Sequence, residues 1–220
     1  MNYLAHGCRF LGDAARLAGT ALPDWLNVLA RRTRVRQARA LEFVDHASPF
    51  VRRLAAGVVD HHRDDDEFHR SAAFAELNWR FAAAVRDATA DPTGMRPMFV
   101  GHVLIEVLLD AELERRRPGL IDAYYGALGE LDGDELDQGV NLLTPRPVAG
   151  VAVWLDRFLA EKFLYDYLSD AKLLFRLNQV MRRVGLPELP VATLDIFPQA
   201  RQAVEERADL LVAFRPDMLT

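Results

Sequence analysis

Apolar residues recur at intervals of three and four along most of this chain, the spacing that buries one face of an α-helix. Alanine, leucine and arginine dominate these segments, and the alternating pattern typical of strands is weak. The sequence therefore predicts an all-α protein, a helical bundle of about seven to nine helices. We expect these helices over about residues 2–17, 24–32, 50–68, 72–88, 98–116, 119–129, 148–184 with a break near Ser169, and 199–214.

The length and composition fit one domain that covers residues 1–220. The chain has 220 residues, half of them hydrophobic, so it can bury a sizeable core. A break between helices is predicted at Asp91-Pro92-Thr93-Gly94. Residues 131–147 mix acids with glycine and proline, a composition that predicts a mobile loop or lid.

Charge and cysteine content exclude some classes of protein. The net charge of -5 argues against a protein that coats nucleic acid. The single cysteine, Cys8, cannot form a disulfide framework, which favours a cytoplasmic location. The first ten residues do not resemble a signal peptide, and no apolar stretch is long enough to predict a membrane span.

Histidines and acids recur at intervals of four in the segment that follows Gly57. His61, Asp65 and His69 would lie on one stripe of a helix, because each step of four advances about 40° around the axis. Imidazole and carboxylate groups suit Zn, Mn and Fe, so this stripe predicts a metal-binding face. The alternative is a solvated charged face, since the intervening residues are also polar.

A second stripe has the same spacing but an apolar setting. His102, Glu106 and Asp110 are separated by Val, Leu and Ile, so this helix should be buried on most sides. Ionised carboxylates are costly in such a place unless they are paired or bind a metal. The alternative is a core histidine hydrogen-bonded to an acid.

Two isolated residues complete the set of candidates. His6 lies in an apolar run, and Asp24 follows Pro23 where we expect the second helix to begin. Asp24 could therefore be an N-cap rather than a ligand. His62 points about 100° away from His61, which suits an outer partner or an acid/base rather than a second ligand of one ion. His46 is interpreted as a surface residue of a turn.

Several segments together resemble one family. They are the opening MNYLAH from Met1 to His6, the segment GTALPDWL from Gly19 to Leu26, the spacing Gly57-(x)3-His61-(x)3-Asp65, and the stretches YDY at 165–167 and LNQVMRR at 177–183. The chain resembles the acyl-carrier-protein phosphodiesterases, helical metal-dependent enzymes similar in shape to HD-domain phosphohydrolases. It differs from them at His69, where the family tends to carry an acid, and at His62, where arginine is expected. A weaker likeness is to the zinc-dependent phospholipases C.

The resemblance implies a phosphoester or phosphodiester hydrolase with one or two divalent cations (Mn, Zn or Fe). The expected metal ligands are His6, Asp24, His61, Asp65, His69, His102 and Glu106. Expected catalytic residues, which orient ligands or move protons, are His62, Asp64 and Asp110, and a phosphate would be bound by Arg63 and Arg182. The substrate would be a small phosphoester or an acidic acyl-carrier-protein-like partner. A carrier would dock on the arginines at positions 31, 32, 34, 36 and 39. The alternative is that this run is a solvated loop or helix face.

Two other functions fit the same helical pattern. One is a metal-binding or regulatory protein on this scaffold that catalyses nothing. The other is a four-helix di-iron oxidase, which usually requires Glu-x-x-His pairs. The acid after each key histidine here lies four residues on, so the di-iron reading ranks last.

Overall fold

A computed structural model of the chain describes residues 1–89 and 93–215, and it confirms the all-α prediction: no strand occurs in these ranges. The helices number more than the predicted seven to nine. They are α1 (Tyr3–Gly7), α2 (Ala14–Leu29), α3 (Gln37–Leu41), α4 (Pro49–Arg70), α5 (Ala72–Asp87), α6 (Pro97–Arg116), α7 (Leu120–Leu128), α8 (Gly133–Leu143), α9 (Val151–Glu161), α10 (Asp170–Val184) and α11 (Phe197–Leu211). Short 3₁₀ segments cover Cys8–Phe10, Phe163–Leu168 and Val191–Ile196.

The chain divides into two compact units. The first unit comprises Tyr3–Asp66 and Gly119–Lys162, and the second comprises Met1–Asn2, Glu67–Pro118 and residues 163–215. The prediction of one domain over 1–220 stays a prediction. Asp91 and Pro92 of the expected break lie outside the described residues. Within the described ranges, no helix has both the length and the apolar character needed to cross a membrane.

The first helix is shorter than predicted and the second begins earlier, so Asp24 does not lie at a helix start. The chain leaves α1 through a 3₁₀ segment, and α2 begins after Asp13, whose carboxylate accepts a hydrogen bond from the Arg16 N–H at 3.2 Å. Asp13 is therefore the N-cap, and α2 continues through Pro23. Asp24 lies inside the helix, so its predicted role at a helix start is wrong.

Most of residues 131–147 form the helix α8 (Gly133–Leu143), so the sequence-based prediction of a loop over this range is wrong for its central part. Asp132 caps α8 by accepting a hydrogen bond from the Glu135 N–H at 2.8 Å. Buried Leu136, Val140 and Leu143 then follow at helical spacing. The acids and glycine that suggested a loop form the capped first turn of a short amphipathic helix.

Replacing Asp132 with alanine is expected to destabilise the protein by about 1 kcal/mol, because the cap leaves one N–H of the first turn without its acceptor. Urea unfolding followed by circular dichroism measures this change. Glu130→Ala, an exposed acid before the helix, is the matched control and should shift the midpoint by less. Equal midpoints for the two variants would contradict the capping role.

Other predicted boundaries are confirmed. Ser71 caps α5 by accepting from the Phe74 N–H at 3.1 Å, and α4 begins at Pro49. The segment 148–184 breaks near Ser169 as expected. It breaks a second time at Lys162, which adopts the left-handed conformation with φ 45°.

The second unit is built on the close packing of α5 and α6. Gly101 on α6 allows this approach, since a Cβ there would lie 2.7 Å from Oδ1 of Asn78. α11 packs on both helices, and Arg116 of α6 contacts Asp209 of α11 at 2.7 Å. These contacts fix the position of α6, which carries His102 and Glu106.

Candidate metal centres

Two glycines set the geometry of a site in the first unit. α2 and α4 cross where Gly19 meets Gly57. A Cβ on Gly19 would lie 2.1 Å from the carbonyl oxygen of Leu54, and one on Gly57 would lie 2.1 Å from that of Arg16. Only glycine permits this approach. The crossing places Thr20, one residue after Gly19, beside His61, one turn after Gly57.

The main chain of α2 fixes the protonation state of His61. Its Nδ1 lies 2.8 Å from the carbonyl oxygen of Thr20. A carbonyl only accepts hydrogen bonds, so Nδ1 carries the proton and Nε2 keeps its lone pair. This is the arrangement by which proteins orient a histidine that ligates a metal.

Two side chains converge beside this lone pair. His6 of α1 stacks on His61 with ring centroids 4.1 Å apart. Asp65 presents one carboxylate oxygen 3.2 Å from Nε2 of His6 and the other 3.5 Å from Nε2 of His61. The candidate ligand atoms of His6, His61 and Asp65 all lie within 4.8 Å of one another. We call this group the first triad.

The charge states of the first triad favour a cation. Burial lowers the pKa of His6, and burial together with the neighbouring His6 lowers that of His61 well below its usual range. Burial would raise the pKa of Asp65, but its contacts with His6 and His61 outweigh this effect and hold it low. Neutral imidazoles and an ionised carboxylate are the forms that bind metals.

The donor set of the first triad fits Zn, Mn or Fe. Two imidazole nitrogens and one carboxylate suit each of these ions. Three protein ligands leave at least one coordination position for water or substrate, as in catalytic rather than structural zinc sites. His6 and His61 are buried, whereas the side chain of Asp65 is 29% exposed, so access is from the Asp65 side.

A second group of the same composition lies in the second unit. Nε2 of His69 and Nε2 of His102 lie 3.3 Å and 3.0 Å from the same oxygen of Glu106. The ligand atoms of these three residues also lie within 4.8 Å of one another. The amino group of Met1 lies 3.0 Å from that oxygen as well. We call His69, His102 and Glu106 the second triad.

The electrostatics of the second triad centre on Glu106. Burial would raise the pKa of this carboxyl. The positive charge at Met1 and the hydrogen bonds from His102 and His69 outweigh burial and hold the pKa well below its usual range. Glu106 is therefore an anion that faces two imidazoles.

The remaining predicted ligand and two predicted acids lie apart from these groups. Asp24 belongs to neither triad among the described residues. Asp64 is fully buried, and its carboxylate contacts the Arg9 guanidinium at 2.5 Å. Asp110 is buried on α6, one turn after Glu106, and is outside the second triad. The predicted catalytic roles of Asp64 and Asp110 stay predictions.

The predicted outer partner and phosphate-binding residues have other contacts in this structure. Nε2 of His62 lies 3.0 Å from the carbonyl oxygen of Val35. Arg63 binds Asp60, and the exposed Arg182 contacts Glu188 at 2.6 Å. Phosphate binding by either arginine would need an exchange of partners and stays a prediction.

Sequence reasoning missed the groups that hold the ligands in place. The Thr20 carbonyl and the Arg9 partner of Asp64 leave no signal, because both come from segments distant in sequence. Gly19 and Gly57 both lie in the motifs quoted from the sequence, but the motifs alone do not indicate that the two glycines form the helix crossing. The signal that could have indicated the crossing is the position of Gly19 one residue before Thr20 and of Gly57 one helical turn before His61.

Comparison with protein-family models, with curated proteins and with solved structures finds no match. The likeness to acyl-carrier-protein phosphodiesterases, and the HD-domain-like or phospholipase-C-like shape, therefore stay predictions from short motifs. Over residues 1–89 and 93–215, the fold and the site define an all-helical protein with two groups of two histidines and one carboxylate, each lying wholly within one unit.

Proposed function

We propose that the chain is a metal-dependent phosphoester hydrolase whose cation is held by His6, His61 and Asp65. The observation that carries this proposal is the hydrogen bond from Nδ1 of His61 to the Thr20 carbonyl. It aims an unprotonated Nε2 at the space shared with His6 and Asp65. Every neutral imidazole has one N–H and one lone pair. The Thr20 bond fixes their direction in His61, so that the lone pair faces the Asp65 carboxylate beside the stacked His6 ring.

The residues of the first triad have distinct roles in this proposal. A divalent cation would supply a water of lowered pKa and neutralise charge on the phosphoryl oxygens. His61 and His6 bind through neutral nitrogens, and Asp65 contributes the negative charge that raises cation affinity. Because His6 and His61 stack at 4.1 Å, each ring limits rotation of the other.

An arginine-rich segment that is bonded to α4 through His62 supports an anionic substrate. The bond from His62 to the Val35 carbonyl holds the segment 31–36 against α4 next to His61. In that segment Thr33 and Val35 are buried, whereas the arginines at 32, 34 and 36 are exposed. A phosphoester, small or attached to an acidic carrier protein, is the substrate class that this charge favours.

A screen with simple esters tests the proposal. The chelator-treated protein is assayed with p-nitrophenyl phosphate and bis-p-nitrophenyl phosphate, with Mn²⁺ and Zn²⁺ added separately. We expect turnover that depends on one of these ions and falls by about 100-fold or more in Asp65→Asn, since an amide is a far weaker ligand than a carboxylate. Asp66→Asn, an exposed acid one position along α4, is the matched control and should retain turnover.

The second candidate is a metal-binding protein without catalysis. The deep burial of both imidazoles favours it, because His6 is 0% and His61 only 4% exposed. This candidate would be favoured if the wild-type protein bound one ion at the first triad but hydrolysed no ester faster than Asp65→Asn does.

A further inference from the structure

The second triad is a built arrangement rather than a chance cluster of polar groups. A single carboxylate oxygen of Glu106 faces two imidazole nitrogens at 3.0 and 3.3 Å. The rings of His69 and His102 lie with centroids 4.6 Å apart and are tilted by 32°. Three potential ligand atoms therefore surround one small volume that a cation could occupy.

An aromatic side chain holds both imidazoles in place. The Phe74 ring packs edge-on against His69 at 4.9 Å and against His102 at 5.1 Å between centroids. Phe74 is buried, and it packs in turn on Phe68 at 5.0 Å. Because these rings are already oriented, an ion would bind with little further loss of side-chain freedom.

The charge at this place is suited to a cation. Glu106 is an anion, and an ammonium nitrogen, that of Met1, lies 3.0 Å from its Oε1. The Glu106 carboxylate therefore already holds one positively charged group, the Met1 ammonium. A divalent ion with two imidazole ligands would satisfy the same anion more strongly than one hydrogen bond.

The three residues come from two helices. His69 lies in the last turn of α4, and His102 and Glu106 lie one turn apart on α6. All three belong to the second unit. An ion between them would fasten the end of α4 to α6 and close the loop of chain that contains α5.

We infer that His69, His102 and Glu106 bind a second divalent transition-metal ion, with the ligand chemistry of zinc, which ties α4 to α6 and stabilises the second unit. The two histidines and one carboxylate match a known zinc ligand set. Zinc binds such nitrogen and oxygen sites more tightly than Mn²⁺ or Fe²⁺. The side chains of His69 and His102 are 31% and 36% exposed, so the ion would exchange with solvent. This inference does not depend on the proposed hydrolase activity.

Zinc titration of the full, chelator-treated chain tests the inference. We expect the wild-type chain to bind two equivalents, and His102→Ala and His6→Ala to bind one each. Glu106→Gln keeps the shape of the side chain and should also bind one, which covers the case in which His102→Ala does not fold. His46→Ala, an imidazole outside both triads, should bind two. One equivalent in the wild-type chain that Glu106→Gln retains, or two equivalents in Glu106→Gln, would overturn the inference.

Thermal unfolding separates this ion from that of the first triad. In His6→Ala, zinc at about a hundredfold excess over its Kd should raise the unfolding temperature by roughly 5 to 10 °C, because only the folded chain binds the ion tightly. In His6→Ala combined with Glu106→Gln, zinc should give no such rise. A rise of equal size in both variants would show that the second triad does not hold the stabilising ion.

Discussion

Replacing His61 with alanine is expected to remove the ion from the first triad and to lower phosphoester turnover by at least about 100-fold. Removing even an outer partner of a metal ligand typically lowers metal affinity or activity 10- to 100-fold. His61 would itself be a ligand, held by its own outer partner, so its loss should cost at least as much. The variant leaves only His6 and Asp65, which are too few to hold a transition metal at micromolar levels. Elemental analysis after dialysis and kcat with added Mn²⁺ or Zn²⁺ measure the two effects.

The control for this experiment is His46→Ala. His46 accepts a hydrogen bond from the Ser48 N–H at 3.1 Å in the turn before α4 and belongs to neither triad. Its loss should leave the ion content unchanged. His61→Gln, which keeps a polar side chain in the buried site, guards against misfolding of the alanine variant. Full ion content in both His61 variants would contradict the first triad as a metal centre.

Replacing Gly57 with alanine is expected to destabilise the protein by about 3 kcal/mol. The new Cβ would lie 2.1 Å from the Arg16 carbonyl oxygen and 2.8 Å from Cα of Gly19. Both neighbours are main-chain atoms of α2, so they cannot move aside as a flexible side chain would. The helices must separate, which also withdraws the Thr20 carbonyl from His61. We therefore expect metal affinity at the first triad to fall by about 10- to 100-fold.

Gly126→Ala on α7 is the matched control, because a Cβ there meets no atom within 4 Å among the described residues. Alanine favours a helix over glycine by up to about 1 kcal/mol, so this variant should be neutral or more stable. Urea unfolding measures stability, and zinc titration measures affinity. Equal unfolding midpoints for the two variants would refute the close crossing of α2 and α4.

The helical pattern of the sequence was enough to predict the fold class and several boundaries. Periodicity and turn signals placed α4 after Ser48-Pro49 and α5 after Ser71. The same reasoning failed for α8, because acids and glycine at a capped helix start resemble a loop. It failed for Asp24 because Pro23 resembled a helix start, whereas Asp13 had already capped α2.

The candidate ligands could be found from spacing, but their grouping could not. His61, Asp65 and His69 share one helical stripe, as predicted. The structure nevertheless pairs the first two with His6 and the third with His102 and Glu106. The partners come from segments distant in sequence, and spacing along one helix says nothing about which neighbour approaches it. Asp64 illustrates the same limit, because its buried partner Arg9 is 55 residues away.

His61 depends on an oxygen of the peptide backbone, and every amino acid at position 20 would supply that same atom. The side chain of Thr20 binds the Leu17 carbonyl instead, at 2.7 Å. Evolutionary drift at position 20 would therefore leave the orientation of His61 intact, whereas drift at the glycines of the crossing would not. In relatives of this chain, glycine at both positions of the crossing would therefore indicate the metal centre better than the identity of residue 20.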